Sequence, residues 1–128
     1  AVVLAMVLSL TIGVSANSSS VMDGHYGTIS GTSYQNSTSP ATLYTSSRMS
    51  KNPDSARFVI KDEYNDGENY LTALSQNSSR GITSFTYTFP IYFTFDAIPN
   101  MAYVSHCVQD GTKYASKATY TSAPLTIN

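Results

Sequence analysis

Residues 82–97 hold the densest run of aromatic side chains in this chain, and they constrain its fold more than any other stretch. Phe85, Tyr87 and Phe89 alternate there with serine and threonine. In an extended chain this alternation places the aromatic rings on one face and the hydroxyl groups on the other, which predicts a half-buried β-strand. The rest of the chain must therefore supply an apolar layer that covers the aromatic face.

The second half of this run begins at Pro90. Proline cannot donate a hydrogen bond to a central ladder, so Pro90 should end the first strand or bend it. An alternating pattern then restarts with Ile91, Phe93 and Phe95, which predicts a second extended segment.

Short alternating runs separated by turn-forming residues continue along the chain. They lie at residues 26–34, 41–49, 56–64, 70–76, 101–108 and 113–122. The second of these runs is rich in serine and threonine and is expected near a sheet edge. Asp66-Gly67 and Asp110-Gly111 are typical of tight hairpins. The sequence predicts an all-β fold, an antiparallel β-sandwich of about seven to eight short strands across residues 26–128, with a barrel as the alternative.

Residues 1–16 carry no charge and are apolar almost throughout. As a helix they would span roughly 24 Å, which is short of a hydrocarbon core of about 30 Å. The segment ends in Val-Ser-Ala, the small-x-small pattern of a signal-peptidase site, and residues 17–25 are expected to form a flexible lead-in. These features are typical of a truncated secretory signal peptide, with the mature protein starting at Asn17. The alternative is a hydrophobic segment retained as an assembly helix, and only then is membrane attachment expected.

Charged residues make up 12% of the chain, and the formal net charge is −1. The 7 lysines and arginines are scattered along the sequence. Because there is no basic excess, a nucleic-acid partner is not expected.

The chain has one cysteine, Cys107, so it cannot form an intramolecular disulfide. Cys107 lies in a strand-like run, where a buried structural thiol is the usual interpretation. The neighbouring His106 would point to the opposite face of the strand, which argues against a catalytic histidine–cysteine pair.

Motifs of hydrolytic enzymes are missing from the sequence, which has no Gly-x-Ser-x-Gly, Ser-x-x-Lys or His-Glu-x-x-His. Most acidic residues fall in one predicted loop or in turns, so no pair of carboxylates is expected to face across a cleft. We therefore expect no catalytic residues, no enzyme activity and no cofactor.

The acidic cluster lies at residues 62–68. Two of its aspartates match the calcium loop of a helix-loop-helix site, but Ala73 stands where that loop needs a bidentate carboxylate. A looser calcium site formed by Asp62, Asp66 and Glu68 is the alternative to a solvated hairpin tip.

The chain has 10 tyrosines. Aromatic rings on a sheet surface can stack against sugars, and the candidates for such a platform are Tyr92, Tyr103, Tyr114 and Tyr120. The other interpretation of each ring is cross-strand packing with the hydroxyl at the rim.

An uncharged leader ending in Ser-Leu-Thr-Ile-Gly-Val-Ser-Ala, followed by strands rich in Ser, Thr and Tyr, resembles the small exported all-β proteins of Gram-positive bacteria. The resemblance is one of general sequence character over the whole chain, not of a specific motif. It implies secretion and a β-sandwich, and it assigns no catalytic residue. The expected function is a secreted or cell-surface, non-catalytic module with a binding or structural role. One alternative is a subunit of an extracellular filament or pilus, which would self-associate into a homopolymer. A second is a carbohydrate-binding module for surface polysaccharide.

Overall fold

The computed structural model describes residues 17–51 and 55–127, and the predicted signal segment at residues 1–16 lies outside the described residues. The described part contains eight strands: β1 (Asn17–Asp23), β2 (Gly27–Thr38), β3 (Ala41–Met49), β4 (Arg57–Asn65), β5 (Tyr70–Asn77), β6 (Ser84–Pro90), β7 (Met101–Asp110) and β8 (Tyr114–Pro124). All strand pairs are antiparallel, and the described residues include no helix. The all-β prediction is confirmed.

The strands form two four-stranded sheets that pack face to face. The first sheet has the order β1-β2-β3-β6, and the second has the order β5-β4-β7-β8. One long side of the sandwich is closed by hydrogen bonds from β1 to β8, including Ser19 Oγ to Thr119 Oγ1 at 2.6 Å and Asn17 Nδ2 to Ser122 Oγ at 3.2 Å.

The aromatic run behaves as predicted up to Pro90, which is the last residue of β6. Phe89 is buried, and Phe85 packs against the apolar clusters between the sheets. The predicted restart of the strand at Ile91, Phe93 and Phe95 is wrong. Residues 91–100 instead form a loop, because the chain has to cross from the first sheet to the second before β7 begins.

Two further expectations about strands are corrected by the structure. Residues 17–23, expected as part of a flexible lead-in, form β1, because their backbone pairs with β2 and the side chains of Asn17 and Ser19 bond to β8. The Ser- and Thr-rich strand β3 is central in its sheet. Its inward Thr45 and Ser47 hydroxyls can be buried because both are hydrogen-bonded, to Tyr87 O and to the His106 ring.

The space between the sheets holds two apolar clusters separated by a polar layer. One cluster includes Leu43, Ile60, Tyr64, Phe89 and Val104, and the other includes Tyr26, Ile29, Met49, Phe58 and Val108. The polar layer is built around His106, whose Nδ1 lies 2.8 Å from Ser47 Oγ and whose Nε2 lies 2.7 Å from Thr121 Oγ1. Thr121 Oγ1 in turn lies 2.7 Å from Ser33 Oγ.

Candidate functional site

The outer face of the second sheet brings together two of the four tyrosines predicted to bind sugars. Tyr103 in β7 is opposite Ser122, and Tyr120 in β8 is opposite Ser105, so the two tyrosines are diagonal neighbours on adjacent strands. Their side chains are 45% and 69% exposed. Such diagonal positions are within reach of one another for aromatic side chains.

The strand β4 adds charged groups to the same face. Lys61 is paired with Ser105, and Glu63 is paired with Tyr103, so all of them point outward together. A shallow cavity of about 420 Å³ lies here, lined by Lys61, Glu63, Tyr103, Val104, Ser105, Tyr120 and Thr121. We call its outward-facing residues, Lys61, Glu63, Tyr103, Ser105 and Tyr120, the tyrosine face.

The polar groups of the tyrosine face remain available to a ligand. Lys61 Nζ lies 3.9 Å from Glu63 Oε2, and both side chains are largely exposed. Exposed ion pairs of this length contribute little to stability. A bound molecule could therefore engage the ammonium as a donor and the carboxylate as an acceptor, beside the two aromatic rings of the neighbouring strands.

The period-two pattern of β7 explains how this face arises. Ala102, Val104, His106 and Val108 are buried between the sheets, while the residues between them face outward. In an extended chain this leaves Tyr103 and Ser105 on the outer surface. Cys107 lies on this outer side and is half-buried, so it is less buried than predicted. The predicted separation of His106 and Cys107 onto opposite faces is confirmed.

The other two candidate tyrosines lie elsewhere. Tyr114 stacks on the His25 ring, with centroids 3.6 Å apart and planes 8° apart, and Lys113 Nζ lies 5.5 Å from its centroid. Tyr92 is 65% exposed and lines a separate small groove at the open side of the sandwich, together with Tyr87. The four rings therefore do not form one platform.

A cluster around Asp110 was not predicted from the sequence. Asp110 Oδ2 lies 2.5 Å from His25 Nε2, and the Ser55 hydroxyl donates to Asp110 Oδ1. The hydroxyl of Ser55 and then the His25 ring lower the pKa of Asp110 below its ordinary value. Because the carboxylate stands between Ser55 and His25, the hydroxyl is bonded to a carboxylate of lowered pKa, which is a weak base, instead of to the imidazole, and this order does not suit nucleophilic catalysis.

His106 has a structural environment rather than one suited to acid–base chemistry with a ligand. Its ring is fully buried, and burial lowers the pKa of His106 to about 4. Both ring nitrogens are occupied by Ser47 and Thr121. The imidazole is therefore neutral at pH 7 and links the two sheets.

The three residues of the calcium candidate are not brought together. Asp62 is fully buried between the sheets, whereas Asp66 Oδ1 accepts hydrogen bonds from the backbone of Glu68 at 2.9 Å and Asn69 at 2.7 Å. These bonds, that of Asn69 first, lower the pKa of Asp66. Asp62 points inward because it belongs to the alternating inward set of β4. Within residues 17–51 and 55–127, no three His, Cys, Asp or Glu side chains are grouped so that they could hold a metal ion.

Comparisons with protein families, curated proteins and solved structures found no match for this chain. In the described part of the chain, no helix has the length and apolar character needed to cross a membrane.

Proposed function

We propose that this protein is a non-catalytic β-sandwich module that works outside the cell, secreted or at the cell surface, and binds polysaccharide through its tyrosine face. The observation that carries the proposal is the cavity on the tyrosine face, where the exposed rings of Tyr103 and Tyr120 lie on β7 and β8 beside a lysine and a glutamate on β4. Pyranose rings present apolar C–H faces to aromatic side chains and hydroxyl groups to polar ones. This mixture of an apolar platform and a few polar groups is the usual composition of a ligand site.

A carbohydrate ligand suits the shape of this surface. The cavity is shallow and open, and it extends across three neighbouring strands, so it would accept part of an extended chain more readily than a small enclosed molecule. The charges of Lys61 and Glu63 cancel, which favours an uncharged polysaccharide over a strongly anionic or cationic one.

The proposed location outside the cell rests on the sequence of residues 1–16, which favours a cleaved signal peptide with a mature start at Asn17. The non-catalytic part of the proposal is supported by the two histidines, since His106 is enclosed between the sheets and His25 is held by Asp110 and Tyr114.

The test is retention of the protein on insoluble polysaccharides, with cellulose, chitin, xylan and purified bacterial cell walls as probes. We expect binding to at least one of them, and we expect Tyr103→Ala and Tyr120→Ala each to weaken it roughly tenfold. Tyr92→Ala is the matched control, because this tyrosine is as exposed as Tyr120 but lies in a different groove.

All variants should unfold at the same denaturant concentration as the wild type, since the changed rings are exposed. Failure to bind any of the four probes, or equal loss on Tyr92→Ala, would overturn the proposed site.

A further inference from the structure

Charged side chains that are scattered along the sequence are segregated in the folded protein. One end of the sandwich carries the turn after β4 and the loop of residues 91–100, and we call it the acidic end. Its charged residues are Asp66, Glu68 and Asp96. Among the described residues, no lysine or arginine lies in these two loops.

The acidic end also carries exposed apolar side chains. They belong to the loop after β6 and are Phe93, Phe95 and Ile98. Phe95 is 95% exposed, and it stands at the tip of a tight turn closed by two backbone hydrogen bonds of 3.2 Å between Thr94 and Ala97. Large apolar side chains grouped in one exposed loop, as opposed to scattered singly, mark interaction surfaces.

The opposite end of the sandwich, the basic end, carries the turns that follow β1, β3, β5 and β7. Arg48, Lys51, Arg80 and Lys113 are exposed at or beside these turns. The described acids of this end are Asp23 and Asp110, and the four exposed bases outnumber them. The basic end also presents apolar surface, with Met22 78% exposed and Tyr114 partly exposed beside Lys113.

We propose that copies of this chain associate end to end, with the acidic end of one copy docked on the basic end of the next. Two complementary ends on opposite sides of one molecule make a head-to-tail contact, which repeats along a line instead of closing into a symmetric dimer. Opposite charge steers the two ends together, and burial of the Phe95 ring against the apolar surface of the basic end supplies attraction.

A second copy fits the acidic end better than a lipid surface does. Asp96 lies next to Phe95 at the tip, and Asp66 and Glu68 stand in the neighbouring turn, so an anionic bilayer would repel this end. The basic end of another copy offers the opposite charge. The inference goes beyond the proposed function, and it leaves the tyrosine face of every copy open along the line, so that weak sites could bind a polymer together.

The first measurement is sedimentation velocity of the purified protein from 10 to 500 µM, in roughly 20 mM and 500 mM NaCl. We expect species larger than the monomer whose average size increases with protein concentration. The association should weaken at high salt, because salt screens the charges of the two ends. A protein that stays monomeric at 500 µM in low salt would contradict the proposal.

The second measurement uses charge reversal at each end. Glu68→Lys with Asp96→Lys reverses the charge of the acidic end, so that both ends of this variant are basic. Lys51→Glu with Lys113→Glu reverses the charge of the basic end, so that both ends of the other variant are acidic. Each variant alone should remain monomeric, and an equimolar mixture should associate again, because each end then meets an opposite charge. A mixture that stays monomeric would overturn the proposal.

Phe95→Ser tests the apolar part of the contact. We expect at least a tenfold weaker association with an unchanged unfolding curve, since the ring lies in solvent in the monomer. Tyr103→Ala with Tyr120→Ala should associate like the wild type, which separates this contact from polysaccharide binding. Phe95-dependent binding to phosphatidylcholine vesicles without self-association would reject a second copy in favour of a bilayer.

Discussion

The buried position of the Asp62 carboxyl group is expected to destabilise the folded protein. Asp62 lies fully buried in β4 between Ile60 and Tyr64, and neither carboxyl oxygen has a hydrogen-bond partner in the described part of the protein. The nearby Tyr64 hydroxyl donates to Pro90 O at 3.0 Å. Burial raises the pKa of Asp62 from 3.8 to about 7, against a smaller opposing effect of the Tyr64 hydroxyl. The folded protein therefore favours the neutral acid.

We predict that Asp62→Asn stabilises the protein at alkaline pH and changes its stability little at pH 4. Below the unfolded-state pKa near 4, Asp62 is neutral in both states, so it imposes no charge penalty. As the pH rises from about 4 to about 7, the unfolded chain ionises first, and stability falls by up to about 4 kcal/mol. Urea unfolding at pH 4 and pH 8 measures the difference.

Glu63→Gln on the same strand is the control, because Glu63 faces outward on the tyrosine face and should change neither value much. Equal effects of Asp62→Asn at the two pH values would show that the carboxyl is not kept neutral by burial.

His106 should make the protein sensitive to acid. Since burial lowers the pKa of His106 from 6.5 to about 4, the unfolded chain takes up the proton first as the pH falls. The stability that depends on the neutral ring is complete above about pH 6.5 and is lost by roughly 3 kcal/mol on the way to pH 4. We predict this loss in urea unfolding of the Asp62→Asn variant, where the opposing titration of Asp62 is absent.

In the same background, His106→Gln should have a lower stability at pH 7 but a much flatter dependence between pH 6.5 and pH 4. A slope that survives this change would assign the acid sensitivity to another group.

At the scale of strands, the contact of β2 with β7 depends on a residue without a side chain. An added Cβ at Gly31 would lie 2.3 Å from two atoms of the His106 ring. The ring could retreat only by giving up its hydrogen bonds to Ser47 and Thr121. Gly31 is thus required for close approach of the imidazole to the strand, which holds the polar layer together.

We predict that Gly31→Ala lowers the free energy of unfolding by about 2 kcal/mol or more, since it overpacks the layer and disturbs buried polar groups. Gly24→Ala is the matched control, because a Cβ there meets no atom within 4 Å. A double-mutant cycle with His106→Ala should show strong coupling. If Gly31→Ala cost the same with and without the imidazole, the contact would not be the cause.

The strands could be predicted from the sequence wherever alternation and turn residues coincide. Residues 84–89 and the hairpin at Asp66-Gly67 are examples, and both follow from local chemistry. The same alternation failed for residues 91–95, because a connection between two sheets outweighed it. It also missed β1, because the bond from Ser19 to Thr119 of β8 joins residues that are 100 positions apart in sequence.

At the scale of the whole molecule, the sequence could not predict how residues from different strands are arranged relative to one another. Tyr103 and Tyr120 are diagonal neighbours because β7 and β8 are paired. Tyr92 lies in the loop between β6 and β7, and Tyr114, although in β8, lies at the far end of that strand against His25. The sequence identified tyrosine as the candidate residue type. It could not show which tyrosines lie side by side, because that depends on the strand order. The separation of charges between the two ends depends on topology in the same way.

The last prediction concerns where the folded unit begins. A protein starting at Asn17 keeps all of β1, so we expect its free energy of unfolding to match that of the chain with residues 1–16. A protein starting at Gly24 lacks the strand that pairs with β2 and whose Ser19 bonds to Thr119 of β8. It should lose several kcal/mol, because the edges of β2 and β8 become exposed and buried hydroxyl groups lose their partners.

Intact mass of the protein from its native source complements this comparison. An intact mass that corresponds to a chain starting at Asn17 would agree with export by a cleaved signal peptide. It would place the cleavage site directly before the first strand. An intact mass that includes residues 1–16 would contradict the proposed signal peptide. Equal stability of the proteins starting at Asn17 and Gly24 would show that β1 is dispensable, and the closed side of the sandwich would then need another explanation.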